Sequence, residues 1–327
     1  MLMRSTLSST CCVLLMHGYS FAQNSRPEPV IDMHLHANSV KMFGEPPVYV
    51  CAPFPFWPAW DPKTGPDALA KSITKAPPCP HPLRSAASDD ENRIRTLKLL
   101  EERNIIGVTS GSQMEAWRAA GQERILPSLS FSGKPSISLE ELRQKIEKKE
   151  IVALGEIEPT LEGKAPDDPG LEPYYALAEK LDILVGIHMG LAVPGASYIM
   201  ASGLRQRHGS MLLLEDLLVR HPKLRVWAMH AGWPLLDDAM ATLFAHPQLY
   251  VDLAGICYII PRADFYHYLQ RLVEAGFENR IMFGSDNVIW PDAIPLAIQS
   301  IKDAPFLTSE QKRDILYNNA ARFLRLK

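Results

Sequence analysis

The sequence is short of everything that would make it a membrane span, a nucleic-acid binder or a filament. Nowhere do the about 18 apolar residues needed to cross a bilayer run together. Charge of one sign is also lacking: 34 Lys and Arg stand against 37 Asp and Glu, a formal net charge of -3, so neither a basic field for nucleic acid nor an acidic tail is present. No G-x-G-x-x-G turn follows an apolar run, which removes the usual sign of a dinucleotide-binding doubly wound sheet. Internal repeats, heptads and low-complexity tracts, the marks of a scaffold, are missing as well. What the chain does have is 46% hydrophobic residues over 327 positions, enough for one large core and the size of an enzyme acting on a small molecule.

Cysteines are few, five in all, and their placement bears on compartment. Cys11 and Cys12 lie in "CCVLLMHGYSFA" (11–22), a modestly apolar stretch after Arg4 that ends in Ser20, Phe21 and Ala22 before Gln23, the small-x-small pattern of a cleavage site. Residues 1–22 are therefore expected to be an export signal, and 23–327 a mature periplasmic or secreted domain. His17, Gly18, Tyr19 and Ser20 dilute the apolar region, so a misplaced start or a cytosolic tail is the alternative. Cys51 and Cys79 bracket a proline-rich segment. In an oxidising compartment their disulfide would close a loop of 28 residues, worth roughly 3 to 4 kcal/mol in the chain-entropy model, the alternative being two free thiols.

Eight short apolar runs follow one another along the chain: "VIDMHLHA" (30–37), "IIGVTSG" (105–111), "ILPSLSF" (125–131), "IVALGEIE" (151–158), "ILVGIHMG" (183–190), "RVWAMHAG" (225–232), "YVDLAG" (250–255) and "IMFGSDNV" (281–288). The third is the weakest strand, because Pro127 has no N–H to give a ladder. Between the runs lie helix starts, where Ser88 with Glu91, Ser138 with Glu141 and Thr308 with Gln311 have capping-box spacing. Ile94, Leu97 and Leu100 are expected to form the buried stripe of the Ser88 helix. Apolar strands alternating with helices imply a parallel sheet covered on its outer face, and eight such units predict an α/β TIM (β/α)8 barrel in a single domain, with an open doubly wound sheet as runner-up.

The chemistry sits at the ends of these runs. Side chains alternate along a strand, so His34 and His36 share a face near the C-terminal end of the first, which in a barrel is the mouth where reactions occur. An isolated H-x-H is more often a hydrogen-bonded structural pair. Here, however, Glu156, His188, His230 and Asp286 end four later runs in the same way, and a separate bland explanation for each would need several coincidences at one rim. Three imidazoles and a carboxylate suit one divalent cation, most simply zinc, with His34, His36, His188 and Asp286 as ligands; manganese and iron stay open. Asp286 could also take the water proton, and His230 could act as general acid or base.

With these motifs in place the sequence resembles the amidohydrolase superfamily, in particular the amidohydrolase-2 branch related to aminocarboxymuconate semialdehyde decarboxylase. The resemblance runs from about Ile31 to Leu326 and is carried by "IDMHLHA", "GIHMG", "MHAG", "FGSDN" and "LTSEQKRDILYNNAARFLRL". It implies a distorted TIM barrel, with His34, His36, His188 and Asp286 on the metal and His230 catalytic. "ALGEIEP" resembles the place where some superfamily members put a carboxylate between two metals, so Glu156 could bridge to a second ion. Glu158 shares its strand face, and a hydrogen bond from a ligating histidine to Glu156 is the alternative.

Substrate information is expected in residues 38–90, a lid-like connection far longer than the two to six residues usual for a βα loop. Its Phe54, Phe56, Trp57 and Trp60 could roof an apolar pocket or pack as a small satellite core. Arg205, Arg207, His208 and Arg262 are candidates for an anionic substrate group, while Asp252 stands aside as a supporting residue. Two reactions fit: hydrolysis of a small amide, ester or lactone by metal-activated water, and non-oxidative decarboxylation of a carboxylated small molecule. Export favours hydrolysis. A non-catalytic metal-binding barrel is the third reading, and a homo-oligomer is left open.

Overall fold

The computed structural model describes residues 27–326 other than Gln122 and Leu191; the expected export signal at 1–22 lies outside the described residues. Ten strands lie among the described residues: β1 (Val30–His36), β2 (Tyr49–Val50), β3 (Leu83–Arg84), β4 (Ile105–Ser110), β5 (Ile125–Ser132), β6 (Ala153–Glu158), β7 (Leu184–His188), β8 (Val226–Met229), β9 (Tyr250–Asp252) and β10 (Ile281–Met282). Eight form one parallel sheet in the order β1-β4-β5-β6-β7-β8-β9-β10. The seam between its edges is bridged where Met33 N–H donates to Phe283 O at 2.9 Å, Asp286 N–H to His34 O at 2.8 Å and His36 N–H to Asn287 O at 3.2 Å. The outcome is the single-domain TIM barrel that the strand count implied. Pro127 is accommodated within β5 because only its carbonyl is used, accepting Val152 N–H at 2.8 Å.

Alternation along each strand sorts the core into two clusters. Leu184 lies in an inner cluster and Val185 and Ile187 in the outer one facing the helices, while in β8 Trp227 and Met229 are inner and Val226 and Ala228 outer. Trp227 fills the inside of the barrel where β7 offers Gly186, whose missing Cβ would lie 2.3 Å from the indole. Below, Ala320 and Phe323 of the helix Asn319–Leu324 complete the inner cluster at its lower end. Two strands interrupt the alternation. Ile31 and Met33 belong to the inner cluster and Leu35 to the outer one, the switch coinciding with a register shift between Asp32 and Leu35. That bulge turns His34 and His36 inward, where strict alternation from Met33 would aim them at the helices. A second shift between Leu154 and Ile157 does the same for Glu156.

The helix Asp89–Glu102 starts as expected, with the Ser88 hydroxyl accepting Glu91 N–H, but its buried face differs from the apolar stripe. Ile94 is 61% exposed, and the residues turned inward are Asn92, Thr96 and Leu100. The reason is polar: Asn92 Nδ2 donates to Val288 O at 3.3 Å and Asn287 Nδ2 donates to the Thr96 hydroxyl at 3.2 Å. This face is chosen to satisfy the irregular segment after β10, which has backbone and side-chain groups without ladder partners.

The long connection after β1 is organised around a disulfide between Cys51 and Cys79 beside the antiparallel pair β2 and β3. It docks on the segments that follow β9 and β10. Phe54 N–H donates to Ile259 O, Ala86 N–H to Ile289 O and the Trp290 indole to Val48 O, while Phe43 stacks on Trp290 at 5.5 Å. Its aromatics divide: Phe54 is buried in the outer core, Trp60 is half-buried with its indole on Gly65 O, and Phe56 and Trp57 are exposed. Replacing Cys79 with alanine is expected to lower the unfolding free energy by roughly 3 to 4 kcal/mol. Denaturant melts of the wild type with and without reductant check this, and equal midpoints would remove the disulfide's contribution.

Candidate metal centre

The inward turn of β1 brings His34 Nε2 and His36 Nε2 to 3.0 Å from one another. Glu156, delivered by the bulge of β6, places Oε2 at 3.3 Å from the first and 3.5 Å from the second. Asp286, beyond the end of β10, places Oδ1 at 3.2 Å from His36 Nε2 and 3.9 Å from His34 Nε2. Four donor atoms thus stand on mutual spacings of 3.0 to 3.9 Å over five pairs. Ligands at zinc–nitrogen and zinc–oxygen bond lengths on a tetrahedron lie about 3.4 Å apart, so this donor set fits a single divalent cation.

The second oxygen of Glu156 faces the other way. Its Oε1 is 2.5 Å from His188 Nδ1 and 3.3 Å from His230 Nε2, and those two nitrogens are 3.1 Å apart. His230 Nδ1 donates to Ala254 O at 2.9 Å, which leaves the Nε2 lone pair pointing inward when the ring is neutral. His188 Nε2 is buried without a hydrogen-bond partner among the described residues. Glu156 therefore separates two donor groups, one with His34, His36 and Asp286, the other with His188 and His230. All six residues meet at the C-terminal end of the barrel, but His188 adjoins His230 and not the β1 pair.

Electrostatics give the same fit. Burial alone would discharge His34, yet the carboxylates of Glu156 and Asp252 outweigh it and hold its imidazolium well above the usual range. His230 behaves likewise, carried up to about 9 against its burial by Glu156 and Asp286. Glu156 is held well below the ordinary carboxylate range despite its burial by His34 and His188, and Asp286 is lowered despite burial by its bond to His36 and the charge of His34. The carboxylates thus demand positive charge, which protons on the imidazoles provide when no metal ion does, so metal loading displaces protons. Glu158 makes no hydrogen bond to the cluster among the described residues; burial and the charge of Glu156 push it up to about 8.

Backbone strain marks the same ends. His230 and Asp286 take φ of 58° and 50°, the left-handed region that costs a non-glycine residue energy and persists where the surroundings over-determine it. Asp286 is held through its own N–H on His34 O and through its carbonyl, which accepts Tyr258 OH at 3.3 Å. Gly255 leaves space beside it, since a Cβ there would come within 2.9 Å of Asp286 Oδ2. Two buried carboxylates support it: Asp252, which the sequence marked as a supporting residue, and Asp32, which it did not single out. Asp32 Oδ1 accepts both His34 N–H at 3.0 Å and Ser285 N–H at 2.9 Å, joining the segments that carry His34 and Asp286, and Asp252 plays a similar part below His230. A carboxylate two residues before the first histidine was the available signal for Asp32. The candidates for anion binding are engaged elsewhere: Arg205 donates to the carbonyls of Ser202 and Leu204, and Arg262 donates to Cys257 O and lies over the rings of Phe265 and Tyr266. Arg207 is exposed and His208 half-buried.

Solved structures share this architecture. An uncharacterized TIM-barrel protein of Bordetella bronchiseptica is 18% identical over 91% of this chain and 99% of its own, with a TM-score of 0.57. A 5-carboxyvanillate decarboxylase of Sphingomonas paucimobilis is 14% identical over 91% and 99%, with a TM-score of 0.55, and a dihydroorotase of Campylobacter jejuni is 16% identical over 92% and 84%, with a TM-score of 0.54. At such identities the likeness speaks for the fold alone. No curated protein matches the sequence. The sequence model described as amidohydrolase matches residues 31–326, nearly everything after the expected signal, and the chain accordingly belongs to the amidohydrolase family of metal-dependent enzymes.

Proposed function

We propose that this enzyme hydrolyses a small amide, ester or lactone outside the cytosol, with zinc held by His34, His36, Glu156 and Asp286, and His188 and His230 on the far oxygen of Glu156. The observation that carries the metal assignment is the cage, the set of four donor atoms of which five pairs stand 3.0 to 3.9 Å apart. When bound, a divalent cation supplies a Lewis acid that polarises a carbonyl oxygen and acidifies water. The protein provides the rest. Asp286 is the most exposed member of the cage, its side chain 20% accessible against 2 to 9% for the others, so its carboxylate faces the mouth and can accept the proton of the attacking water. His230, with Nδ1–H fixed on Ala254 O, holds a further proton at Nε2 for the leaving group. A second ion beside Glu156 Oε1 would occupy that nitrogen and end this role, so metal content separates the two arrangements. Export is supported by the Cys51–Cys79 disulfide, since such bonds persist mainly in oxidising compartments.

Decarboxylation is the competing reading, because both chemistries occur within this fold: neighbours named above include a decarboxylase and a dihydroorotase. The experiment is turnover in 18O-labelled water against panels of esters, lactones, amides and carboxylated aromatics, with metal analysis of the same sample. We expect about one zinc per chain, label in the product acid and no carbon dioxide. Carbon dioxide release without label would reverse the order, and about two zinc ions per chain would assign the second site to Glu156, His188 and His230.

A further inference from the structure

Beneath the cage lies Asp252, the last residue of β9, with no exposed surface. Its Oδ1 accepts two backbone N–H groups, those of His230 at 2.9 Å and Ala254 at 3.1 Å. Its Oδ2 accepts the indole N–H of Trp227 at 3.1 Å and stands 3.4 Å from His34 Nδ1. That nitrogen is buried and has no hydrogen-bond partner among the described residues, while Nε2 of the same ring belongs to the cage. An imidazole offers one nitrogen to a cation when the other carries the proton, and a buried N–H calls for an acceptor in front of it. Asp252 is the group so placed, and it cannot swing away, because three donors pin its oxygens and one of them belongs to the indole that fills the barrel.

We infer that Asp252 is a positioning residue for the metal centre, which sets His34 as the Nδ1–H tautomer, aims its Nε2 lone pair into the cage, and ties the turn of His230 to the same anchor. Trp227 acts one step further out, as the clamp on Asp252. This rests on the metal-centre reading above. Neither residue touches substrate, so their effect is on the affinity and field of the ion. Asparagine at 252 is the sharp probe: of its two positions only one can accept, so its NH2 must face either the His34 and Trp227 hydrogens or the two backbone amides.

The test uses the mature protein and its Asp252→Asn and Trp227→Phe variants, with zinc affinity measured by competition against a chromophoric chelator and visible absorption recorded after cobalt substitution. Thermal melts of the metal-free forms report folding separately. Asp252→Asn is expected to bind zinc about 10- to 100-fold more weakly, the range for losing a group that orients a ligating histidine, and to alter the cobalt spectrum. Trp227→Phe, which keeps the carboxylate and loses its clamp, is expected to fall between wild type and Asp252→Asn. Wild-type zinc affinity or an unchanged cobalt spectrum in folded Asp252→Asn overturns the inference. Should that variant fail to fold, wild-type affinity in Trp227→Phe overturns it instead. A wild-type protein that takes up neither zinc nor cobalt defeats the metal-centre reading itself, an outcome distinct from the other two.

Discussion

Glu156→Gln is expected to lose at least about 100-fold in metal affinity and about 1,000-fold in turnover. Glutamine has the same shape, so the inner face of β6 can keep its packing. What changes is charge. Glu156 Oε2 faces His34 and His36, and Oε1 faces His188 and His230, all within 3.5 Å. An amide cannot accept on both sides, and its NH2 would turn hydrogens either toward the lone pairs of the β1 pair or toward His188. The loss also removes the negative charge that the buried imidazoles answer, and breaking one partner of a buried ionic set is far costlier than its net worth as a pair. Metal analysis after dialysis, with kcat/KM at added zinc, measures both effects. A Glu156→Gln protein with full metal and full activity would exclude Glu156 from the centre.

Asp286→Asn is expected to separate binding from chemistry. Asparagine is among the residues that accept a φ of 50°, so the turn that follows β10 survives the change. At saturating zinc the variant should hold metal through His34, His36 and Glu156, yet turn over about 10² to 10⁴ times more slowly, the usual loss for a general base. The pH dependence carries the sign. A base must be ionised to work, and in the metal-free site the bond to His36 and the charge of His34 keep the carboxyl of Asp286 below its usual range despite burial, a task that passes to the cation when it displaces the imidazole protons. Wild-type kcat/KM therefore falls only as the pH drops through that lowered value, and in Asp286→Asn this acid limb should vanish. Equal turnover and an identical acid limb in the variant would place the base elsewhere.

The two effects differ in kind because the residues sit on different sorts of backbone. Glu156 is held on a strand inside the barrel, 6% exposed, where removal leaves buried partners unanswered. Asp286 stands on an irregular segment at the mouth, where it can be altered with less cost to its neighbours. The supports of that segment come from afar: Asp32 reaches Ser285 N–H, Thr96 reaches Asn287, and the insertion after β1 covers Ile289 and Trp290.

Local pattern in the sequence determined the eight apolar runs, the helix starts at Ser88, Ser138 and Thr308, and the residue types near the C-terminal ends of four of those runs. Each of these is set within a few positions, by alternation, by a capping hydroxyl or by donor chemistry. Tertiary structure decided what depends on distant chain. The bulges that turn His34 and Glu156 inward arise from pairing with β4, β5 and β7. Which oxygen of Glu156 meets which histidine follows from barrel closure, and Ile94 stays outside because Asn92 and Thr96 are needed by the segment beyond β10. Asp32 and Asp252 belong to the same class, for a buried carboxylate earns its place from amides supplied by other strands, and no periodicity along its own strand records where those amides will be.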